Sequence, residues 1–237
     1  MAAGVSGKVV LVAGGTGGLG QAVSLAFLEA GATVIATYQV KAEADALKSR
    51  GAGARLELHD VDVTDEAAVQ RLVSGVIGRH ERIDALVNAV GGYAGGPRLW
   101  EHRPDIFEHM VSLNLRSGYA LTRIIAPLMV DAGRGAIVSV AAKAGLMPFA
   151  GAAAYAASKA AAIALMEALA AEVKGSGVRV NSILPSIIDT ASNRAAMPTA
   201  DFAAWPKPDD IARVILFLCS DDARVIHGAA IPVYGDS

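Results

Sequence analysis

The sequence predicts a doubly wound α/β domain, a parallel sheet with helices on both faces, from three observations. Short apolar, β-rich runs alternate with longer helical patterns along the chain. A glycine-rich segment separates the first run from the first helical pattern. No composition shift, linker or repeat divides the 237 residues, so residues 1–237 read as a single domain with one large core.

The predicted strands are Lys8–Ala13, Thr33–Tyr38, Arg55–Asp60, Asp84–Asn88, Gly135–Val140, Val178–Leu184 and Ala229–Val233. Helices are predicted at Leu19–Ala30, Lys41–Ser49, Asp65–Arg79, Asp105–Asp131, Tyr155–Lys174 and Pro208–Ser220. Gly31, Gly51, Gly133 and Gly175 each follow a helical pattern, where a left-handed residue closes a helix.

Composition narrows the function classes. The hydrophobic fraction is 53%, much of it alanine, which suits helices packed closely on a sheet. A net charge of −2 and a pI near 6.2 give no basic footprint for nucleic acid. The single cysteine, Cys219, excludes a disulfide framework, and the five histidines lack metal-ligand spacing, so no metal is expected. Met1–Gly7 does not read as a signal peptide. No apolar run is read as reaching the roughly 18 residues that cross a bilayer, so the expectation is a cytoplasmic protein with no membrane partner. The Ala-rich faces of the helices at Asp105–Asp131 and Tyr155–Lys174 suggest a homo-oligomer, a dimer or a tetramer.

The segment Gly14-Gly15-Thr16-Gly17-Gly18-Leu19-Gly20 falls on the first strand–helix turn. Glycines there permit a tight turn and close approach of a pyrophosphate, which the N–H groups of the following helix attract. In this position the run points to a Rossmann-type site for NAD(H) or NADP(H). Tyr155 and Lys159, four apart, share one helix face. An ammonium beside a phenol favours the phenolate, so the pair is predicted to lower the tyrosine pKa and to exchange a proton with a small-molecule substrate.

The glycine spacing together with Asp62-Val63, Asn88-Ala89-Val90-Gly91, Asn114, Tyr155-Ala156-Ala157-Ser158-Lys159 and Pro185 resembles the short-chain dehydrogenase/reductase family over essentially the whole chain. The resemblance implies that Tyr155, Lys159 and Asn114 are catalytic, Asn114 through a water-mediated proton relay. It implies cofactor contacts at Gly14, Thr16, Gly18, Leu19, Gly20, Tyr38, Asp62, Val63, Asn88, Ala89, Val90, Gly91, Tyr155, Lys159, Pro185 and Ile188. A carboxylate ending the second strand would favour NAD and a nearby arginine NADP; Thr37-Tyr38-Gln39 supplies neither, so the choice stays open.

One departure stands out. The family's serine, thirteen positions before the tyrosine, is Ala142 here, and Ser139, three residues away on an extended strand, would point to the other face. Together with Val90-Gly91-Gly92-Tyr93-Ala94-Gly95-Gly96 and the stretch Asp189–Trp205, this alanine resembles the quinonoid dihydropteridine reductase branch. That likeness implies a planar substrate contacted by Tyr93, Ala142 and Trp205, the aromatic rings by stacking. Two alternatives remain: a general carbonyl or alcohol oxidoreductase without the serine, and a non-catalytic dinucleotide-binding protein.

Overall fold

The computed structural model describes residues 4–50 and 53–237; the helix closure expected at Gly51 lies outside them. Seven strands form one parallel sheet: β1 (Val9–Ala13), β2 (Thr33–Tyr38), β3 (Leu56–Asp60), β4 (Ala85–Asn88), β5 (Gly135–Val140), β6 (Val178–Pro185) and β7 (Ala230–Val233). Their order is β3-β2-β1-β4-β5-β6-β7. The chain therefore reverses direction across the sheet between β1 and β4, which pair from Val10 with Ala85 to Ala13 with Asn88. A reversal of this kind opens a crevice at the carboxyl ends of the two strands.

The alternation of β1 shows how the two faces fill. Val10 and Val12 enter a core shared with Phe27 and Leu28 of α1 (Gly18–Glu29) and with Ile211, Ile215 and Leu218 of α8 (Pro208–Cys219). Val9, Leu11 and Ala13 enter the opposite core, against α3 (Glu66–His80), α5 (Ser117–Asp131) and α6 (Ala153–Glu172). The period of two in the strand thus feeds both helical layers. At 20 residues and with its apolar content, α6 has the length and composition to cross a membrane, against the expectation from sequence. Here it packs on the sheet, with Ala162, Ile163 and Met166 buried.

The fold departs from expectation in two places. The helix predicted over Asp105–Asp131 is three pieces: α4 (Pro104–Val111), a π-helical turn over Ser112–Arg116, and α5. The π-helical turn carries Asn114, whose side chain is buried and hydrogen-bonded as detailed below. A short helix α7 (Ala191–Ala196) also forms in the β6–α8 connection, capped by the Thr190 side chain, which accepts a hydrogen bond from Asn193 N–H at 3.2 Å. Its six residues are too few to show a helical period.

Phe27 is fully buried between β1 and α8, so truncation leaves a cavity that the close-packed layer cannot fill. Phe27→Ala is expected to destabilise the fold by about 3–5 kcal/mol, measured by urea denaturation. A loss below about 1 kcal/mol would show that the α1–α8 layer relaxes around the missing ring.

Candidate active site

Above the β1/β4 reversal lies a cleft of about 420 Å³. Its floor is the first strand–helix turn. Gly14 has φ +69°, and its N–H donates to Thr37 Oγ1 at 3.0 Å. Gly15 N–H donates to the Thr37 carbonyl, also at 3.0 Å, so the last turn of β2 braces the loop. A Cβ on Gly20 would collide with the Gly14 carbonyl, and one on Gly18 would come within 2.9 Å of Thr190 Cγ2. The glycines therefore let three backbone segments converge at the start of α1. Bare backbone at a helix N-terminus is the cradle that a dinucleotide pyrophosphate needs, and these residues fit one.

Gly14, Thr16, Tyr38, Asp62, Val63, Ala89, Val90 and Gly91 line the cleft, as the resemblance implied. Asp62 Oδ1 accepts from Thr64 N–H at 2.9 Å and Thr64 Oγ1 at 2.7 Å, while Asp65 caps α3. Asn88 is buried beneath the cleft, where its Oδ1 accepts from Val90 N–H at 3.2 Å and shapes the loop. The Leu19 side chain packs in the core, so only its backbone is available to a ligand. Pro185 is buried at the end of β6, and Ile188 packs against the core beyond it. The sequence reading missed Glu43, Thr64, Ser112 and Leu113, which also line the cleft. They come from α2 (Lys41–Ser49), the β3–α3 turn and the π-helical turn, and no local pattern joins them.

Beyond Gly91 the catalytic candidates meet. A Cβ on Gly91 would sit 2.9 Å from both Asn114 Oδ1 and Lys159 Nζ. Asn114, on the π-helical turn, accepts from Gly92 N–H at 3.0 Å and donates to the Gly92 carbonyl at 3.1 Å. It also donates to Ser158 Oγ at 3.0 Å, and Ser158 donates to the Tyr155 carbonyl at 2.7 Å. A widened turn that presents one side chain inward is a frequent device at functional sites. Here it locks the β4 loop to α6.

Lys159 is 4% exposed, and its ammonium donates to the Val140 carbonyl at 3.0 Å. Burial pulls its pKa down to about 8. Burial, with a smaller contribution from Tyr93, pushes the Tyr155 phenol up to about 12. This corrects the expectation that the lysine would lower the tyrosine. No hydrogen bond joins the two side chains among the described residues, and desolvation dominates both shifts. The phenol is thus protonated at neutral pH.

Aromatic rings flank Tyr155. Tyr93, 58% exposed, stands edge-on to Tyr155 with ring centroids 5.1 Å apart and 81° between planes. It lies near-parallel to the exposed Phe149, at 6.5 Å and 26°. Gly96 N–H donates to the Gly151 carbonyl at 2.8 Å, tying together the loops that carry the two rings. Phe149 escaped the sequence reading because only the fold brings the β5–α6 loop beside the β4 loop. Ala142 is buried at the start of a turn (Lys143–Gly145) that presses on α6; a Cβ on Gly145 would lie 3.0 Å from the Lys159 carbonyl carbon. Trp205 is a correction. It is 5% exposed and packs on Phe202 at 5.0 Å, so its ring is spent on packing and not offered for stacking. The segment around it is self-bonded: Arg194 pairs with Asp189 and lies 4.8 Å over the Phe202 ring.

The depressed lysine pKa has a consequence for stability. Unfolded Lys159 keeps its proton to about 10.5 and folded Lys159 to about 8, so between these values the unfolded chain binds more protons. Stability from this residue therefore rises as pH rises from 8 towards 10.5, by at most about 1.4 kcal/mol per pH unit. Urea unfolding of the wild type against Lys159→Met, which cannot titrate, isolates the effect from Tyr155 and Cys219. The difference should move in favour of the wild type with rising pH; a flat difference would show that the folded ammonium is as well solvated as the unfolded one.

Comparison with known proteins agrees with this geometry. The short chain dehydrogenase family matches residues 8–201. A 3-oxoacyl-(acyl-carrier-protein) reductase of Thermotoga maritima is 31% identical, with 98% of each chain covered. D-threitol dehydrogenase of Mycolicibacterium smegmatis is 33% identical, over 98% of this chain and 93% of its own. Among solved structures, a 3-ketoacyl-(acyl-carrier-protein) reductase of Brucella melitensis complexed with NADH superposes with a TM-score of 0.87 at 28% identity, covering 98% of both chains. The chain belongs to the short chain dehydrogenase family and is an NAD(P)-dependent oxidoreductase.

Proposed function

We propose that this oxidoreductase reduces a flat, conjugated small molecule of the quinonoid dihydropterin type, with Tyr155 as the proton donor. One observation carries the reading. The Tyr155 ring stands edge-on to the exposed ring of Tyr93, itself near-parallel to the exposed Phe149, while position 142 offers a methyl group where carbonyl reduction calls for a hydroxyl. Rings so placed favour a planar substrate by offset or edge contacts. A conjugated acceptor spreads the incoming charge over several atoms and needs less polarisation at one oxygen.

The bound nicotinamide cofactor, NAD(H) or NADP(H), supplies the hydride. The turn at Gly14–Gly20 would hold its pyrophosphate, and the cleft from Tyr38 to Asp62 its adenosine. Lys159 would face its ribose across Gly91, its charge held there by the Val140 carbonyl. Asn114 keeps the Gly91-Gly92 backbone in register with α6 and so positions Lys159 and Tyr155. Tyr155, protonated at neutral pH, gives its proton to the reduced substrate and recovers one from solvent.

A second reading is favoured by the names of the relatives, which act on ketoacyl and polyol substrates. On that reading the chain is a carbonyl or alcohol oxidoreductase working without the serine hydroxyl.

Two experiments separate these readings. Tyr155→Phe should leave cofactor binding intact and lower single-turnover reduction by at least about a hundredfold. Near-normal reduction by this variant would remove Tyr155 from the chemistry. Ala142→Ser should change turnover of quinonoid dihydropterin by less than about fivefold, since a hydroxyl counts only where the transition state gains from it. A gain of about a hundredfold confined to ketones, the scale of one oxyanion donor, with negligible pterin turnover in either form, would establish the second reading.

A further inference from the structure

The cofactor cleft carries a charge pattern that the sequence order conceals. Its described lining includes the carboxylates of Glu43 and Asp62 and no lysine or arginine. Glu43 lies in the first turn of α2, and its Oε2 accepts from the buried hydroxyl of Thr16 at 3.3 Å. The same oxygen is 4.0 Å from where a Cβ on Gly17 would stand. The carboxylate is therefore held over the glycine turn, beside Tyr38 and Gln39 at the end of β2. Two cations at the ends of α2 are engaged elsewhere. Lys41 Nζ bonds both oxygens of Asp45 at 3.1 Å, and Arg50 Nη1 donates to Gln21 at 3.0 Å.

We infer that Glu43 is a specificity-determining residue that makes the enzyme select NAD(H) over NADP(H). The inference rests on the dinucleotide reading of the cleft. With the nicotinamide end at Tyr155 and Lys159, the adenosine ribose falls at the end of β2, where Glu43 replaces the carboxylate missing from Tyr38. A carboxylate there accepts a hydrogen bond from a ribose 2′-hydroxyl and repels a 2′-phosphate. The α2 N-terminus would otherwise attract that phosphate, and Glu43 counters it. The repulsion acts within one helical turn, well inside the roughly 8 Å screening length at physiological salt.

The test is direct binding of NADH and NADPH, by calorimetry and without substrate, to the wild type and to Glu43→Gln. Glu43 is exposed, so the substitution leaves the core untouched. The wild type should bind NADH at least about tenfold more tightly than NADPH. Glu43→Gln should tighten NADPH by about tenfold and weaken NADH by no more than a few-fold, which moves the ratio towards unity. Equal binding of both cofactors by the wild type, or an unchanged ratio in the variant, overturns the assignment to Glu43. Binding of neither cofactor overturns the dinucleotide reading and this inference with it.

Discussion

The missing side chain at Gly91 is the constraint on which the site depends. Where its Cβ would stand, the Asn114 amide oxygen and the Lys159 ammonium both come within 2.9 Å. The bare backbone lets the end of β4, the π-helical turn and α6 close on one another. Any larger residue would push apart the groups that the chemistry needs together. Asn114 then fixes the arrangement with three hydrogen bonds, two to Gly92 and one to Ser158. The π-helical turn between α4 and α5 carries Asn114, and its amide is buried towards Gly92 and Ser158.

Burial sets the electrostatics of the assembled site. Lys159 is buried with one carbonyl partner, and its pKa falls to about 8; Tyr155 is desolvated in the same region and rises to about 12. Both shifts favour the neutral forms and cost stability if charge is forced on either group. Such a site is suited to giving a proton away.

The segment from Asp189 to Trp205 shows how packing can resemble function. Its irregular pattern of charged and aromatic residues looks like a substrate-recognition element. In the structure these residues satisfy one another: Arg194 with Asp189 and Phe202, Phe202 with the buried Trp205. The result is a self-supported cap whose Thr190 rests against Gly18 at the start of α1. The rings of Tyr93 and Phe149, by contrast, are exposed and lie near-parallel to one another.

The strands, most of the helices, the glycine turn and the Tyr155–Lys159 pair were legible because each is a local pattern. Strand alternation, a helix spacing of four and glycines on a strand–helix turn are imposed by neighbours in sequence. The carboxylate of Glu43 over the turn, the ring of Phe149 beside Tyr93 and the break at Asn114 were not legible. Each depends on where two distant segments meet, and a one-dimensional period carries no record of that. Trp205 was misread for the same reason, since its partners and its burial are set by the folded cap. The sequence by itself determined a parallel α/β domain with a dinucleotide turn and a Tyr-Lys pair. Only the tertiary structure decided which charges line the cleft, which rings reach solvent and which way burial shifts the catalytic protons, because solvation and approach exist only once the chain has packed.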